Sequence, residues 1–160
     1  MAIVTLTYTA GMAEPARAVH AGVNAITFSF DPSTAWGTTC DVCLLGRIPR
    51  NAVITGGYVS GYHIGATGVH CLLLTVDGLD YTKSAQTIKF DQASGTFTLS
   101  GTAAGAMFNV TRPLRVSLSA DSTAADAVLY LNATTGASAT TSFSIAGTIY
   151  YVCDGRDTSD

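Results

Sequence analysis

The residues of this chain that come nearest to a recognisable reactive constellation are Cys40-Asp41-Val42-Cys43, a C-x-x-C with Cys71, His63 and His70 as further possible zinc ligands. Zinc needs those side chains to converge tetrahedrally. On a strand, residues i and i+3 point to opposite faces. The interval holds no glycine or proline to bend it into a knuckle, and no second C-x-x-C follows. No metal site is therefore expected. Thiol exchange is not expected either, because no helix follows to lower a cysteine pKa. Cys40, Cys43, Cys71 and Cys153 read instead as buried free thiols, small apolar side chains in strand-like runs.

A serine nucleophile on a strand-to-helix elbow needs G-x-S-x-G. Gly57-Tyr58-Val59-Ser60-Gly61 comes close, but Tyr58 stands where the first glycine belongs. His20, His63, His70 and ten aspartates supply bases and orienting acids in such number that a triad can be drawn anywhere, so the drawing selects nothing. No catalytic residue and no cofactor site is expected.

Asp77-Gly78-Leu79-Asp80 has the start of a calcium loop without its later acidic ligands, and reads as a hairpin turn. Gly101-Thr102-Ala103-Ala104-Gly105 lacks the lysine of a phosphate loop. The sequons Asn109-Val110-Thr111 and Asn132-Ala133-Thr134 are chance products of a Thr-rich chain if it is not exported.

The elements that would position these groups follow from composition. Only 12% of the 160 residues are charged, about half the usual share of roughly 25%. With Lys+Arg 8 and Asp+Glu 11, the net charge of −3 lacks the basic clusters that grip phosphate backbones, so nucleic acid is not an expected partner. No apolar run reaches the roughly 18 residues of a membrane helix, and the start, Met1-Ala2-Ile3-Val4-Thr5, has no basic region before an apolar stretch. One glutamate, Glu14, and two lysines, Lys83 and Lys89, leave few residues to populate an exposed helix face. Thr, Ser, Val, Gly and aromatics take their place, and these suit strands and turns.

About ten short strands are expected. They cover Ile3–Tyr8, Ala21–Phe30, Cys40–Leu45, Ala52–Tyr62, Val69–Val76, Thr96–Leu99, Ala106–Val110, Leu114–Ser119, Val128–Leu131 and Ser142–Val152. Val69–Val76 is the most apolar and should be central, while Gly46–Asn51 reads as a break. Asp121–Ala127 has helix caps before an alanine-rich stretch and is the one place where a short helix fits. The sum is an all-β, antiparallel β-sandwich or jelly-roll-like single domain over residues 1–154. Residues 1–17 form a candidate extended arm and residues 155–160 a flexible tail.

Three segments carry a resemblance. Val19-His20-Ala21-Gly22-Val23-Asn24, Cys43-Leu44-Leu45-Gly46-Arg47-Ile48-Pro49-Arg50-Asn51-Ala52-Val53-Ile54 and Leu72-Leu73-Leu74-Thr75-Val76-Asp77 resemble small virion proteins of tailed bacteriophages. The strand, Leu-Gly-Arg-Ile-Pro, short-strand pattern is similar to that of head decoration (cement) proteins. The match runs over roughly residues 17–80, and the Thr/Ala/Gly-rich second half departs from it. The resemblance implies a non-enzymatic β-sandwich made in the bacterial host cytoplasm. It implies a place on the outer surface of the virion, where the protein binds the major capsid protein and stabilises the shell, often as a homo-oligomer, a dimer or a trimer. It carries over no catalytic residue.

Read from the residues alone, low charge with a high apolar fraction also fits a protein whose faces are occupied by neighbours. Arg47, Ile48, Pro49 and Arg50 are the candidate partner contacts: proline stiffens the loop, and two arginines flank an apolar residue. Losing both arginines is expected to cost the isolated fold under about 0.5 kcal/mol. The competing reading is a carbohydrate-binding or receptor-binding module of a phage tail or fibre, with Trp36, Tyr58 and Tyr62 as its exposed aromatics.

Overall fold

β-Branched and ring side chains fit a pleated surface, and Gly, Asn and Asp end it. The computed structural model describes residues 3–5, 22–30, 42–64, 68–77, 85–90, 95–99, 106–135 and 142–153. These residues hold eleven strands and no helix: β1 (Ile3–Thr5), β2 (Asn24–Phe30), β3 (Val42–Pro49), β4 (Val53–Ile64), β5 (Gly68–Thr75), β6 (Ala85–Thr87), β7 (Phe97–Leu99), β8 (Ala106–Asn109), β9 (Leu114–Arg115), β10 (Asp126–Thr135) and β11 (Ser142–Val152). The expected arm beyond Ile3–Thr5 and the expected tail lie outside the described residues, as do His20, Trp36 and Cys40.

The strands form two sheets. The first has the order β1-β3-β10-β5-β6, with β7 also on β5; the second has the order β2-β11-β4-β8, with β9 also on β4. The pairing is nested: β2 lies on β11, β3 on β10, β4 on β8, and β5 on β6 and β7. A long hairpin whose two arms wind together over two sheets gives this order, which is the jelly roll. Pairing is antiparallel except at one edge, where β1 joins β3 in parallel with Ile3 opposite Val42. The all-β, antiparallel jelly-roll-like sandwich expected from the sequence is the fold observed, with this one parallel edge.

Period-two alternation places the core between the sheets. From the second sheet come Ile26, Phe28, Phe30, Val59, Ile145, Ile149 and Tyr151; from the first come Leu72, Leu74, Leu129 and Leu131. Phe97 anchors one end, edge-on to Phe90 at 5.1 Å and tilted against Phe108 at 5.4 Å. Such pairs contribute about 0.5–1.5 kcal/mol beyond their buried area. As its apolar run suggests, β5 is interior to its sheet, with β10 on one side and β6 and β7 on the other.

One local expectation changes. Gly46–Asn51 is not a break, because β3 continues to Pro49. The register slips between Leu129 and Tyr130, which face Gly46 and Leu44, so Leu45 is the extra residue of a bulge. That extra residue shifts the alternation, turning Ile48 into the core and Arg47 to the outer face. Asp121–Ala127 forms no helix. The Ser122 hydroxyl accepts from Ala124 N at 3.3 Å and holds a turn, and β10 begins at Asp126.

Candidate interaction face

The four expected contact residues sit at the corner where the chain passes from the first sheet to the second. Ala52 N donates to Pro49 O at 3.2 Å, closing a turn in which Asn51 takes φ 65°. Asparagine tolerates that left-handed position. Ile48 is wholly buried and Pro49 is buried, while Arg47 and Arg50 are half-buried. Arg47 lies opposite Val128 on the outer face of the first sheet, with its Nε buried. Arg50 reaches across the corner, and its Nη2 donates to Ser119 O at 3.2 Å and to Ser122 O at 2.8 Å. Its backbone N donates to Ala125 O at 2.8 Å. The expectation that Arg50 does little for its own fold is corrected by these bonds, which bind the corner to the segment leading into β10.

Among the described residues, the cysteines and His70 are dispersed. Cys43 points between the sheets, and Cys71 lies outside that core on the opposite face of the same sheet. Burial pushes the Cys43 thiol up to about 12 and the Cys71 thiol up to about 11, so both are protonated at neutral pH. Cys40, the other end of the C-x-x-C, lies outside the described residues. His70 is fully buried, with its ring 5.8 Å from that of Phe97. Among the described residues, no three His, Cys, Asp or Glu side chains are grouped to hold a metal ion. Ser60 lies inside β4, between Val59 and Gly61, and not on an elbow. Gly78–Asp80 and Gly101–Gly105 lie outside the described residues.

The two outer sheet faces differ. On the first sheet, Val42, Cys71, Val128 and Tyr130 are each under 5% exposed although they stand outside the inter-sheet core. Burial, then the nearby Cys71, pushes the Tyr130 phenol up to about 12. The second sheet is open. Its outward side chains include exposed Ala25, Thr27 and Ser29 on β2, Tyr150 on β11, Tyr58 on β4, and Met107 and Asn109 on β8. Tyr62, Ser60, Ser144 and Ala146 are half-buried among them.

No Asp, Glu, Lys or Arg occurs in any of β2, β4, β8 or β11, and the charged side chain that this sheet does carry, the exposed Arg115 of β9, stands at its margin opposite Val53. Exposed sheet faces are normally studded with charges that keep them in water. This one carries hydroxyls, small residues, tyrosines and a methionine that is 63% exposed. Depletion of charge with enrichment of Tyr and Met is the composition of an interface centre.

Sequence reasoning found Tyr58 and Tyr62 but missed the face. The available signal was local: residues 51–76 and 127–153 contain no charged side chain. Read as a whole-chain average, that absence had no location. The topology supplies one, since β4 and β11 are the two central strands of the same sheet.

The fold has solved counterparts. A chain in the capsid of Ralstonia phage GP4 superposes with a TM-score of 0.60 at 15% identity, covering 94% of this chain and 97% of that one. A chain in the capsid asymmetric unit of cyanophage Pam1 superposes with a TM-score of 0.55, also at 15% identity, covering 89% and 93%. No protein-family model and no curated protein sequence matches the chain. At this identity the likeness establishes the shared fold.

Proposed function

We propose that this chain is a non-enzymatic structural protein of a tailed-phage virion, a decoration (cement) protein that binds the outer face of the major capsid protein shell and stabilises it. The observation that carries the reading is the near end-to-end correspondence of its fold with chains from two phage capsids. The correspondence takes in nearly the whole of each pair of chains. The sparse charge and the charge-poor outer face of the second sheet, where Arg115 of β9 stands only at the margin, add to it, because a protein that works by covering surfaces needs faces that are cheap to desolvate.

Arg47 and Arg50 are the proposed contacts to the shell, with Ile48 and Pro49 as the buried support behind them. Guanidinium groups suit carboxylates and carbonyls on a partner surface. The sugar-binding alternative draws on Tyr58 and Tyr62, which share the open face, but among the described residues that face offers Asn109, hydroxyls and the marginal Arg115 and no acid.

The test is to add purified protein to undecorated heads, separate bound from free by sedimentation, and measure head survival under heat. Saturable binding with later rupture supports decoration. Absence of binding, together with retention on a polysaccharide column, would select the sugar-binding reading.

A further inference from the structure

We infer that the open outer face of the second sheet is a self-association surface, on which a second copy of this chain packs face to face about a two-fold axis. This goes beyond the decoration reading and does not depend on it.

Three observations select a second copy as the occupant. Strands β2, β11, β4 and β8 carry no charged side chain on this face, and the exposed Arg115 of β9 sits at its margin beside Val53, so two copies meet over the four strands without like-charge repulsion, although each whole chain carries a net charge of −3. Its polar groups are mainly hydroxyls, which both donate and accept. The Thr27 and Thr148 hydroxyls already pair at 3.2 Å within one copy, where either can be the donor. A face of carboxylates or amines needs a partner of opposite kind, whereas a hydroxyl face is its own complement.

The third observation is the register of the two central strands. On the outer face, β11 and β4 place Tyr150 opposite Gly56, Thr148 opposite Tyr58 and Ser144 opposite Tyr62. Each of these pairs sets a ring beside a small residue. A two-fold axis in the plane of the face, running along the line between the two strands, exchanges β11 and β4. Each tyrosine then lands over the small partner residue of the other copy. Gly56 is an open notch: a Cβ built there would have no atom within 4 Å, and Tyr150 beside it is 39% exposed.

Four strands about 4.8 Å apart and an outward run of about seven residues give a footprint of roughly 450 Å². Two such footprints bury roughly 900 Å², just under the roughly 1,000 Å² of a stable specific interface and in the range of a weak, transient one. A reversible dimer with micromolar affinity is the expected result. Holding many copies close together on a surface would strengthen it by mass action.

The experiment is sedimentation velocity of the isolated chain over a range from low to high micromolar, with no capsid present, so that its outcome is separate from that of shell binding. The wild type is expected to shift from monomer to dimer as concentration rises. Gly56→Glu fills the notch with a charge where the monomer has room, and Ala25→Glu adds one at an exposed position of β2. Each is expected to weaken dimerisation at least tenfold and leave the melting temperature of the monomer unchanged. A wild-type chain that stays monomeric throughout overturns the proposal. So do folded Gly56→Glu and Ala25→Glu proteins that both dimerise like wild type. If the wild type is monomeric and Gly56→Glu loses shell binding instead, the proposal is overturned and the face belongs to the shell contact.

Discussion

Arg50 and Ser122 lie 72 residues apart in the chain, yet the Arg50 Nη2 donates to the Ser122 carbonyl at 2.8 Å, with the Ser119 carbonyl on the same nitrogen at 3.2 Å. One guanidinium therefore ties the corner between the sheets to the turn that launches β10.

Hydrogen bonds from a charged donor contribute about 1.5–3 kcal/mol when the partner is otherwise left dry. Arg50→Ala should therefore lower stability by about 2 kcal/mol, and Arg47→Ala, with no such carbonyl pair, by well under half of that. Urea unfolding of the two single variants checks this. Equal losses would mean that the Arg50 bonds are not holding the corner.

Neighbouring glycines should answer differently to the same change. Gly57 has φ 138°, and an added Cβ there would collide with the Thr148 carbonyl and the Ile149 Cα, whereas Gly56 has open space. Gly57→Ala is expected to cost about 2 kcal/mol or more through backbone strain, and Gly56→Ala to stay within about 0.5 kcal/mol. Thermal melts of the two variants, run below the concentration at which the chain self-associates, decide it.

Alkaline stability follows from the buried thiols and phenol. The Cys43 and Cys71 thiols are raised from 9.0 to about 12 and about 11, and the Tyr130 phenol from 10.0 to about 12. Each group keeps its proton to higher pH folded than unfolded, so the folded state binds more protons above about pH 9. Stability from these groups is complete below about pH 9 and falls as pH climbs through about 11 and 12. Tyr130→Phe keeps the ring and removes one titration, so its loss of stability across that window should be shallower than that of wild type. An identical slope would show that the phenol plays no part.

Truncating Ile48 tests whether the apolar member of the Arg-Ile-Pro-Arg corner serves the core. Buried Ile→Ala changes cost about 2–5 kcal/mol, through lost transfer energy and the cavity left behind. Ile48 is 0% exposed, so Ile48→Ala should fall in that range. A loss under about 1 kcal/mol would place the side chain outside the core.

Most of the fold was legible because period-two alternation of large apolar residues is a local property. Ile26, Phe28 and Phe30 announce β2, and Ser142–Val152 was read at its observed limits. Arg47 to Arg50 misled because the Leu45 bulge shifts the alternation by one residue, and a bulge depends on the partner strand β10, which local sequence cannot reveal. The turn at Ser122 has helix-capping residues, but β10 begins at Asp126 and takes up Ala127 and Val128. The charge-poor face stayed hidden for a related reason. Its two principal strands, β4 and β11, are separated by about half of the chain and become neighbours only through the nested pairing.

The most direct measurement for the central claim is the composition of virus particles. Particles from a culture producing this chain are banded by density, washed and run on a denaturing gel beside the unassembled lysate, and the bands are identified by mass spectrometry. The account predicts a species at 16.5 kDa that bands with intact heads in numbers comparable to the shell protein and is stripped before the shell itself dissociates. Particles that band without it, while the chain remains wholly in the unassembled fraction, would contradict a virion structural role.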